Sequence, residues 1–293
     1  GSEMCIRDSL CVLLLLPTVV FAEAQPSLEK QIAQSAEGMS ALGGKKGELL
    51  KDRELFPAGD SVCDWLAIAM ALSGTRESYS DYLAELKAHV EDAYAKNGCL
   101  DRNKATEYHR ISLTVLALGG NPTNFGTKPD GSAIDLIAEG TYNYARDPGA
   151  QGLNGWIWAL LTLDAGDTEV PADALYSRED MVNAISVAQE PDGGFGLIPG
   201  KSDVDITAMA VQALAPYRDQ METEIDAALS YLSGQLTDTC GYIAYGDENA
   251  ESTAQVILAL CALGIDPETD SCFVKGEHTL LTELSQFREA DGT

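Results

Sequence analysis

The chain has 293 residues, enough for one large domain or two modest ones. Its composition is that of a globular protein, but only 7% of its residues are aromatic, which is little for a site walled by aromatic rings. The formal net charge of −27 argues against nucleic acid or anionic lipid surfaces as partners, because a surface of this sign repels both.

Residues 1–24 are interpreted as an export leader behind a foreign-looking flank. Residues 10–22 form an apolar run that ends in a small-x-small pattern, which is typical of a signal peptide. The run is shorter than the ~20 apolar residues that span a bilayer. We therefore expect a secreted or cell-surface protein that begins near Gln25 and has no integral membrane segment.

The rest of the chain predicts alternating helices of two kinds. Apolar, Ala-rich patterns predict helices buried on all sides, and amphipathic patterns predict helices with one face to solvent. Gly, Asn, Asp and Pro clusters separate them, and extended pieces are expected only in the turns. We predict an all-α fold with an inner and an outer layer. After a first helix at 26–41, inner helices near 62–73, 107–119, 154–165, 203–215 and 250–263 alternate with outer helices near 79–96, 131–145, 177–189, 222–236 and 277–289.

The predicted helices follow a 46-residue repeat in the sequence. Three landmarks recur with this spacing, namely Gln189 and Gln235, Asp192 and Asp238, and Thr207 and Thr253. One period shared by three landmarks indicates a tandem repeat of helical hairpins.

The repeat carries a family resemblance. The stretch QEPDGGFG at 189–196 resembles the Q-x-x-D-G-G-F/W motif of prenyltransferase and squalene-cyclase repeats, and 202–208 resembles the inner-helix start that follows it. The resemblance covers roughly residues 60–293 and implies an α/α toroid. Members close six inner helices into a ring, so the five predicted here imply an incomplete ring, with a helix and linker at 25–60 and a truncated toroid domain at 61–293.

Other phrases of the sequence refine the resemblance. DITAMAVQALA and AESTAQVILALCALGIDP are similar to exported bacterial toroid proteins, which are related in architecture to the cobalamin carriers. The resemblance implies a C-terminal β domain or a surface-anchoring module beyond Thr293. It also names a corrinoid as a candidate ligand, with no cofactor required for activity.

In a toroid of this kind all inner helices start at one mouth, where helix N-termini carry partial positive charge and free N–H groups. N-capping is the alternative role for an acid at such a start. Of two tryptophans two positions apart, one can face the cavity, and Trp156 is the candidate stacking wall. The candidate ligand-binding residues are Asp64, Trp65, Tyr108, His109, Trp156, Trp158 and Glu251, and Glu107, Arg110, Asn154 and Ser252 cluster with them.

The segment from Asp203 to Asp205 is the candidate catalytic pair. It resembles the D-x-D-D motif with which class II terpenoid cyclases protonate an alkene, and Asp205 matches the proton-donating position. Such an acid must stay protonated through burial or nearby like charge. However, Ile206 stands where the last acid is expected, and residues two apart on a helix do not face one another.

No metal site is predicted. The histidines at 89, 109 and 278 lack ligand spacing, and Asp, Ile and Thr stand where protein prenyltransferases place zinc-binding Cys and His. The cysteines after the leader are odd in number and form no CxxC, so a disulfide scaffold is not expected. One bridge between Cys240 and Cys272 is left open.

Three functions remain open at this point. The leading one is an exported, non-catalytic binding module for a small-molecule ligand, either a corrinoid or another large planar or apolar molecule. The alternatives are a terpenoid cyclase-like enzyme with Asp205 as general acid, and a surface structural module. A deep aromatic cavity would favour the enzyme, a polar mouth would favour binding, and an interior filled by its own side chains would favour the structural module.

Overall fold

The computed structural model describes residues 28–42, 47–244 and 246–288. These residues are predominantly helical, which confirms the predicted all-α class. The export leader and the turn at Asp291 and Gly292 lie outside the described residues. Within the described ranges, no helix combines the length and apolar character needed to cross a membrane.

The elements alternate along the chain much as the sequence predicts. In chain order they are α1 (Leu28–Ala41), α2 (Ser61–Leu72), α3 (Tyr79–Asn97), α4 (Ala105–Ala117), α5 (Leu136–Gly140), α6 (Asn154–Ala165), α7 (Arg178–Ser186), α8 (Val204–Leu214), α9 (Arg218–Gly234), β1 (Ile243–Ala244), β2 (Asp247–Glu248), α10 (Ala250–Ala262) and α11 (Leu280–Leu284). The two short strands pair in antiparallel fashion in the turn after α9.

An inner row of helices carries the core. Helices α2, α4, α6, α8 and α10 contact one another in that order, and their bounds agree with the predicted inner helices to within two residues. Most of their side chains are buried, as the apolar pattern on all sides predicts. The side chains of the five inner helices therefore form much of the buried core.

The outer helices lie behind the inner row. Helices α5, α7, α9 and α11 pack against α4, α6, α8 and α10 respectively. The predicted outer helices over 131–145 and 277–289 are too long, since the α-helices that form there, α5 and α11, have five residues each. Residues 127–133 form a bridged loop, Asp135 caps α5 through the Ala138 N–H at 2.9 Å, and a Cβ at Gly140 would lie 2.2 Å from the Tyr108 Cβ.

The QEPDGGFG motif forms a corner between three helices. The Gln189 Nε2 donates to the backbone oxygens of Gly193 and of Glu224 on α9, both at 2.8 Å. The Asp192 Oδ1 accepts from the Gly194 N–H at 3.0 Å, and the buried Phe195 donates its N–H to the Thr207 Oγ1 at 2.8 Å. These contacts give the motif a structural role in joining α7, α8 and α9.

The first helix and the last described segment meet. Ala36 of α1 packs with Leu66 and Met70 of α2. The Arg288 side chain donates a hydrogen bond to the Gln34 Oε1 at 3.1 Å. Helix α1 thus lies between the two ends of the helical array.

Cys99, Cys240, Cys261 and Cys272 are free thiols. The Cys240 Sγ donates to the backbone oxygen of His278 at 3.1 Å, and Cys272 is exposed. The Cys240–Cys272 bridge that the sequence left open is not formed.

Candidate functional site

The first turns of α6, α8 and α10 lie side by side. A Cβ added at Gly152, just before α6, would lie 2.6 Å from the backbone oxygen of Leu197, in the segment before α8. Glu251 and Ser252, at the start of α10, both act electrostatically on Asp205 in the first turn of α8. We call this region the three-helix mouth and define it by Asn154, Asp203, Asp205, Glu251 and Ser252.

The two acids of the candidate catalytic pair have different roles. Asp203 is the N-cap of α8, because its Oδ1 accepts the Ile206 N–H at 3.1 Å. Burial raises the pKa of Asp205 to about 6, the Ser252 hydroxyl opposes the shift, and the nearby carboxylates of Asp203 and Glu251 add to it. The Asp203 side chain thus serves the backbone, while the Asp205 carboxyl is an acid that titrates close to neutral pH.

Three polar atoms of the mouth and its floor are buried without a hydrogen-bond partner in the part of the chain that the structure describes. They are the Asn154 Oδ1, the Trp158 Nε1 and the Asp205 Oδ1. Buried polar atoms in native proteins nearly always have a partner, and an unmade hydrogen bond costs about 1–3 kcal/mol. Two acceptors and one donor are therefore open to a molecule that enters here.

The floor of the mouth is aromatic. Trp65 of α2 and Trp158 of α6 have ring centroids 5.2 Å apart at 58°, although their helices are not neighbours in the inner row. The inner row is therefore curved, because side chains of α2 and α6 touch although α4 lies between these two helices in the row. Trp158, which is only 8% exposed, belongs to the same buried cluster as Ile206 and Met209 of α8, so the interior at this level is filled by its own side chains.

Trp156 does not share the floor. Its ring lies edge-on to Tyr176 with centroids 5.2 Å apart at 85°, and a Cβ at Gly149 would lie 2.3 Å from its Nε1. Trp158, rather than Trp156, is thus the tryptophan of α6 that meets the interior. The sequence named Trp156 as the candidate stacking wall, whereas the structure places Trp156 against Tyr176 and Trp158 in the interior.

Asp64 lies in a separate, fully paired cluster at the start of α2 and α4. Its Oδ1 accepts from the Gly59 N–H at 3.0 Å and the Tyr82 hydroxyl at 2.7 Å, and its Oδ2 accepts from the Arg110 Nε at 2.9 Å. Arg110, with a side chain only 7% exposed, also pairs with Glu107 at 2.8 Å. We call these five residues the Asp64 cluster.

Burial has opposite effects on the two charges of this cluster. It raises the pKa of Asp64, a shift that the Arg110 guanidinium opposes. Burial acts to lower the pKa of Arg110, but the carboxylates of Asp64 and Glu107 raise it on balance, so the guanidinium stays charged. The cluster is a satisfied structural ion pair with no free donor or acceptor of Asp64 pointing to a ligand.

Tyr108 and His109 face the outer layer. The Tyr108 hydroxyl accepts from the Leu100 N–H at 3.0 Å, and its ring lies edge-on to Tyr144. The His109 Nε2 lies 2.6 Å from the Gly140 backbone oxygen, which can only accept, so Nε2 carries the proton. Burial lowers the pKa of His109 to about 4, which keeps the ring neutral, and its Nδ1 has no partner among the described residues.

The structure therefore divides the sequence candidates into two groups. Asp203, Asp205 and Glu251 meet in the three-helix mouth, with Trp65 and Trp158 below, whereas Asp64, Tyr108, His109 and Trp156 have other partners. Ser252 belongs to the mouth because its hydroxyl acts on Asp205, and Asn154 is included because it begins α6, next to the contact between Gly152 and Leu197. Among the described residues, no group of three or more His, Cys, Asp or Glu side chains is arranged to hold a metal ion.

No protein-family model matches the chain, and no curated protein matches it. The mouth offers carboxylates, an amide oxygen and an indole N–H, and one acid whose pKa burial raises to about 6.

Proposed function

We propose that this chain is an exported, non-catalytic binding module whose small-molecule ligand enters the three-helix mouth. The observation that carries the proposal is the set of unpartnered buried atoms, namely the Asn154 Oδ1, the Asp205 Oδ1 and the Trp158 Nε1. A purely structural interior would be expected to satisfy these atoms, because each unmade hydrogen bond costs stability. The apolar leader-like run at 10–22 supports export.

A corrinoid is the ligand that the family resemblance suggests. Trp65 and Trp158 lie below the mouth, but each is only 8% exposed and the two rings contact each other, so the described residues offer no open tryptophan face on which a planar molecule would stack. This suggestion depends on the resemblance for the identity of the ligand and on the mouth only for its position.

Cyanocobalamin is the probe that tests this proposal. We expect it to co-elute with the protein on gel filtration, as followed by its visible absorbance at micromolar concentration. Asn154→Ala should weaken this binding about tenfold, because it removes an open acceptor. The matched control is Asn183→Ala, which alters an exposed asparagine on α7 and should have no effect.

The outcomes of this experiment distinguish whether a corrinoid binds from where it binds. Absence of co-elution at micromolar concentration would remove the corrinoid. Equal binding by the wild-type protein and Asn154→Ala would place the bound corrinoid outside the mouth. A protein that binds no probe at the mouth would favour a surface structural module, which the filled interior around Trp158 and Met209 supports.

A terpenoid cyclase-like enzyme is the second candidate, and the raised pKa of Asp205 favours it. An acid with a pKa near 6 is better placed to donate a proton than an ordinary aspartate. The aromatic contact between Trp65 and Trp158 disfavours it, because the two rings fill the interior in which a carbocation would need room. Squalene cyclisation that is present in the wild-type protein and lost in Asp205→Asn would establish the enzyme.

A further inference from the structure

The Asp64 cluster and the three-helix mouth are built on a similar plan, except that no cationic side chain of the described residues acts on the aspartate of the mouth. Each has an aspartate in the first turn of an inner helix, fully buried for Asp64 and partly buried for Asp205, with acids on that helix and its neighbour. In the Asp64 cluster the guanidinium of Arg110 neutralises the aspartate at 2.9 Å. At Asp205, the groups that act on the carboxyl are Ser252, Asp203 and Glu251, and none of these is cationic.

We propose that the three-helix mouth binds a small organic cation, whose primary ammonium group takes the place at Asp205 that Arg110 takes at Asp64. The inference concerns the same site as the proposed function and rests on it. It adds the charge and the hydrogen-bonding groups of the ligand, which the resemblance does not supply.

The open acceptors require a ligand that donates hydrogen bonds. The Asn154 Oδ1 and the Asp205 Oδ1 are both buried oxygens that have no partner within the described ranges. An ammonium group carries three N–H donors, whereas a quaternary ammonium carries none. Hydrogen bonds between a charged donor and a carboxylate are also the strong ones, so a primary amine matches these two oxygens best.

Trp158 indicates a second feature of the ligand. Its side chain is more than nine-tenths buried, and its indole N–H has no partner among the described residues. Trp158 follows Asn154 by four positions, so it lies one turn deeper on the same face of α6. A donor at that depth requires an acceptor, such as a hydroxyl or carbonyl oxygen, a few bonds away from the ammonium group. The aromatic rings of the floor attract cations as well.

The acidic groups of the mouth disfavour an anionic ligand. The carboxyl groups of Asp203 and Glu251 both lie close enough to act on Asp205, and the three acids would repel an anionic group. The net charge of −27 adds a long-range attraction for cations. The N-termini of α8 and α10 do not reverse this preference, since the side chains of Asp203 and Asn249 already accept N–H groups there.

A matched pair of probes tests the charge of the ligand. The cation is 5-amino-1-pentanol, and the neutral control is 1,5-pentanediol, which replaces the ammonium group by a hydroxyl. Binding is followed by ligand-observed saturation-transfer NMR and by tryptophan fluorescence. We expect saturable binding of the amino alcohol, with a dissociation constant at least about tenfold lower than that of the diol.

Two variants locate the bound cation. Asp205→Asn should weaken binding of the amino alcohol about tenfold or more. Asp238→Asn removes the same charge from a fully exposed position and should leave binding unchanged. Equal binding of amino alcohol and diol, or equal losses in the two variants, would overturn the inference, because attraction to the acidic surface alone would then explain the result.

Cyanocobalamin binding separates the two proposals. If cyanocobalamin binds in an Asn154-dependent manner while the amino alcohol does not bind, the binding function stands and the cation inference is wrong. If the amino alcohol binds in an Asp205-dependent manner while cyanocobalamin does not bind, the corrinoid is wrong and the cation inference stands. If neither binds, both are wrong.

Discussion

Asp64 and Asp205 show how the same residue type in the same local position acquires different roles. Both lie in the first turn of an inner helix, and burial raises the pKa of both. Asp64 accepts three hydrogen bonds, one of them from the buried Arg110 guanidinium, whereas the Asp205 Oδ1 has no partner among the described residues. The Asp64 carboxylate is thus satisfied by its own fold, and the Asp205 carboxyl keeps an acceptor open to a ligand.

Removing the charge of Asp64 should have the largest effect on stability. In Asp64→Asn the buried Arg110 loses its principal counter-ion, so we expect the free energy of unfolding to fall by about 3–5 kcal/mol. Urea denaturation measures this change. The exposed Asp238→Asn serves as the control and should stay within about 0.5 kcal/mol of the wild-type protein. An Asp64→Asn variant of wild-type stability would show that the ion pair contributes nothing.

The same substitution at Asp205 should stabilise the protein rather than destabilise it. The folded pKa of about 6 lies above the ordinary value of 3.8, so the charged carboxyl destabilises the fold at neutral pH. We expect Asp205→Asn to raise the free energy of unfolding at pH 8 by about 2 kcal/mol. Asp203 and Glu251 help to set this shift, and Ser252 opposes it.

The pH dependence provides the check on that sign. As the pH falls from about 7 to about 4, the folded wild-type protein takes up the proton before the unfolded chain does. Wild-type stability therefore rises relative to that of Asp205→Asn, and the difference between them should vanish below about pH 4. A difference that is constant from pH 8 to pH 4 would contradict the raised pKa.

The smallest effect is expected for a single hydrogen bond of the Asp64 cluster. Tyr82→Phe removes the hydroxyl that donates to the Asp64 Oδ1 at 2.7 Å but keeps the buried ring. Since the Gly59 N–H and Arg110 still hold the carboxylate, urea denaturation should show a loss of about 1 kcal/mol. A loss as large as that of Asp64→Asn would mean that the hydroxyl, rather than the guanidinium, supports the charge.

Hydrophobic periodicity was enough to predict the inner helices but not all of the outer ones. Each inner helix is apolar on all sides, and this pattern depends little on its neighbours. The outer segment at 131–145 is helical only over α5, and this helix ends where Gly140 meets the Tyr108 side chain. Such a contact between distant segments leaves no periodic signal in the sequence.

The sequence predicted where the candidate site lies, but not which residues belong to it. The rule that inner helices start at one mouth drew attention to Asp205, Glu251 and Trp158. It also drew in Asp64 and His109, because the pattern does not show which polar atoms find partners inside the fold. Arg110 is the residue that removes Asp64 from the site, and its ion pair depends on the packing of α2 against α4.

The hydrogen bond from Arg288 to Gln34 has a consequence for folding during synthesis. Contacts between successive hairpins form between segments that leave the ribosome soon after one another. The contact between Arg288 and α1, by contrast, spans 254 residues and needs almost the whole described chain. Helix α1 is made before the other described helices, yet it can contact Arg288 only when that residue has emerged, so its contacts are not complete until the described chain has been made.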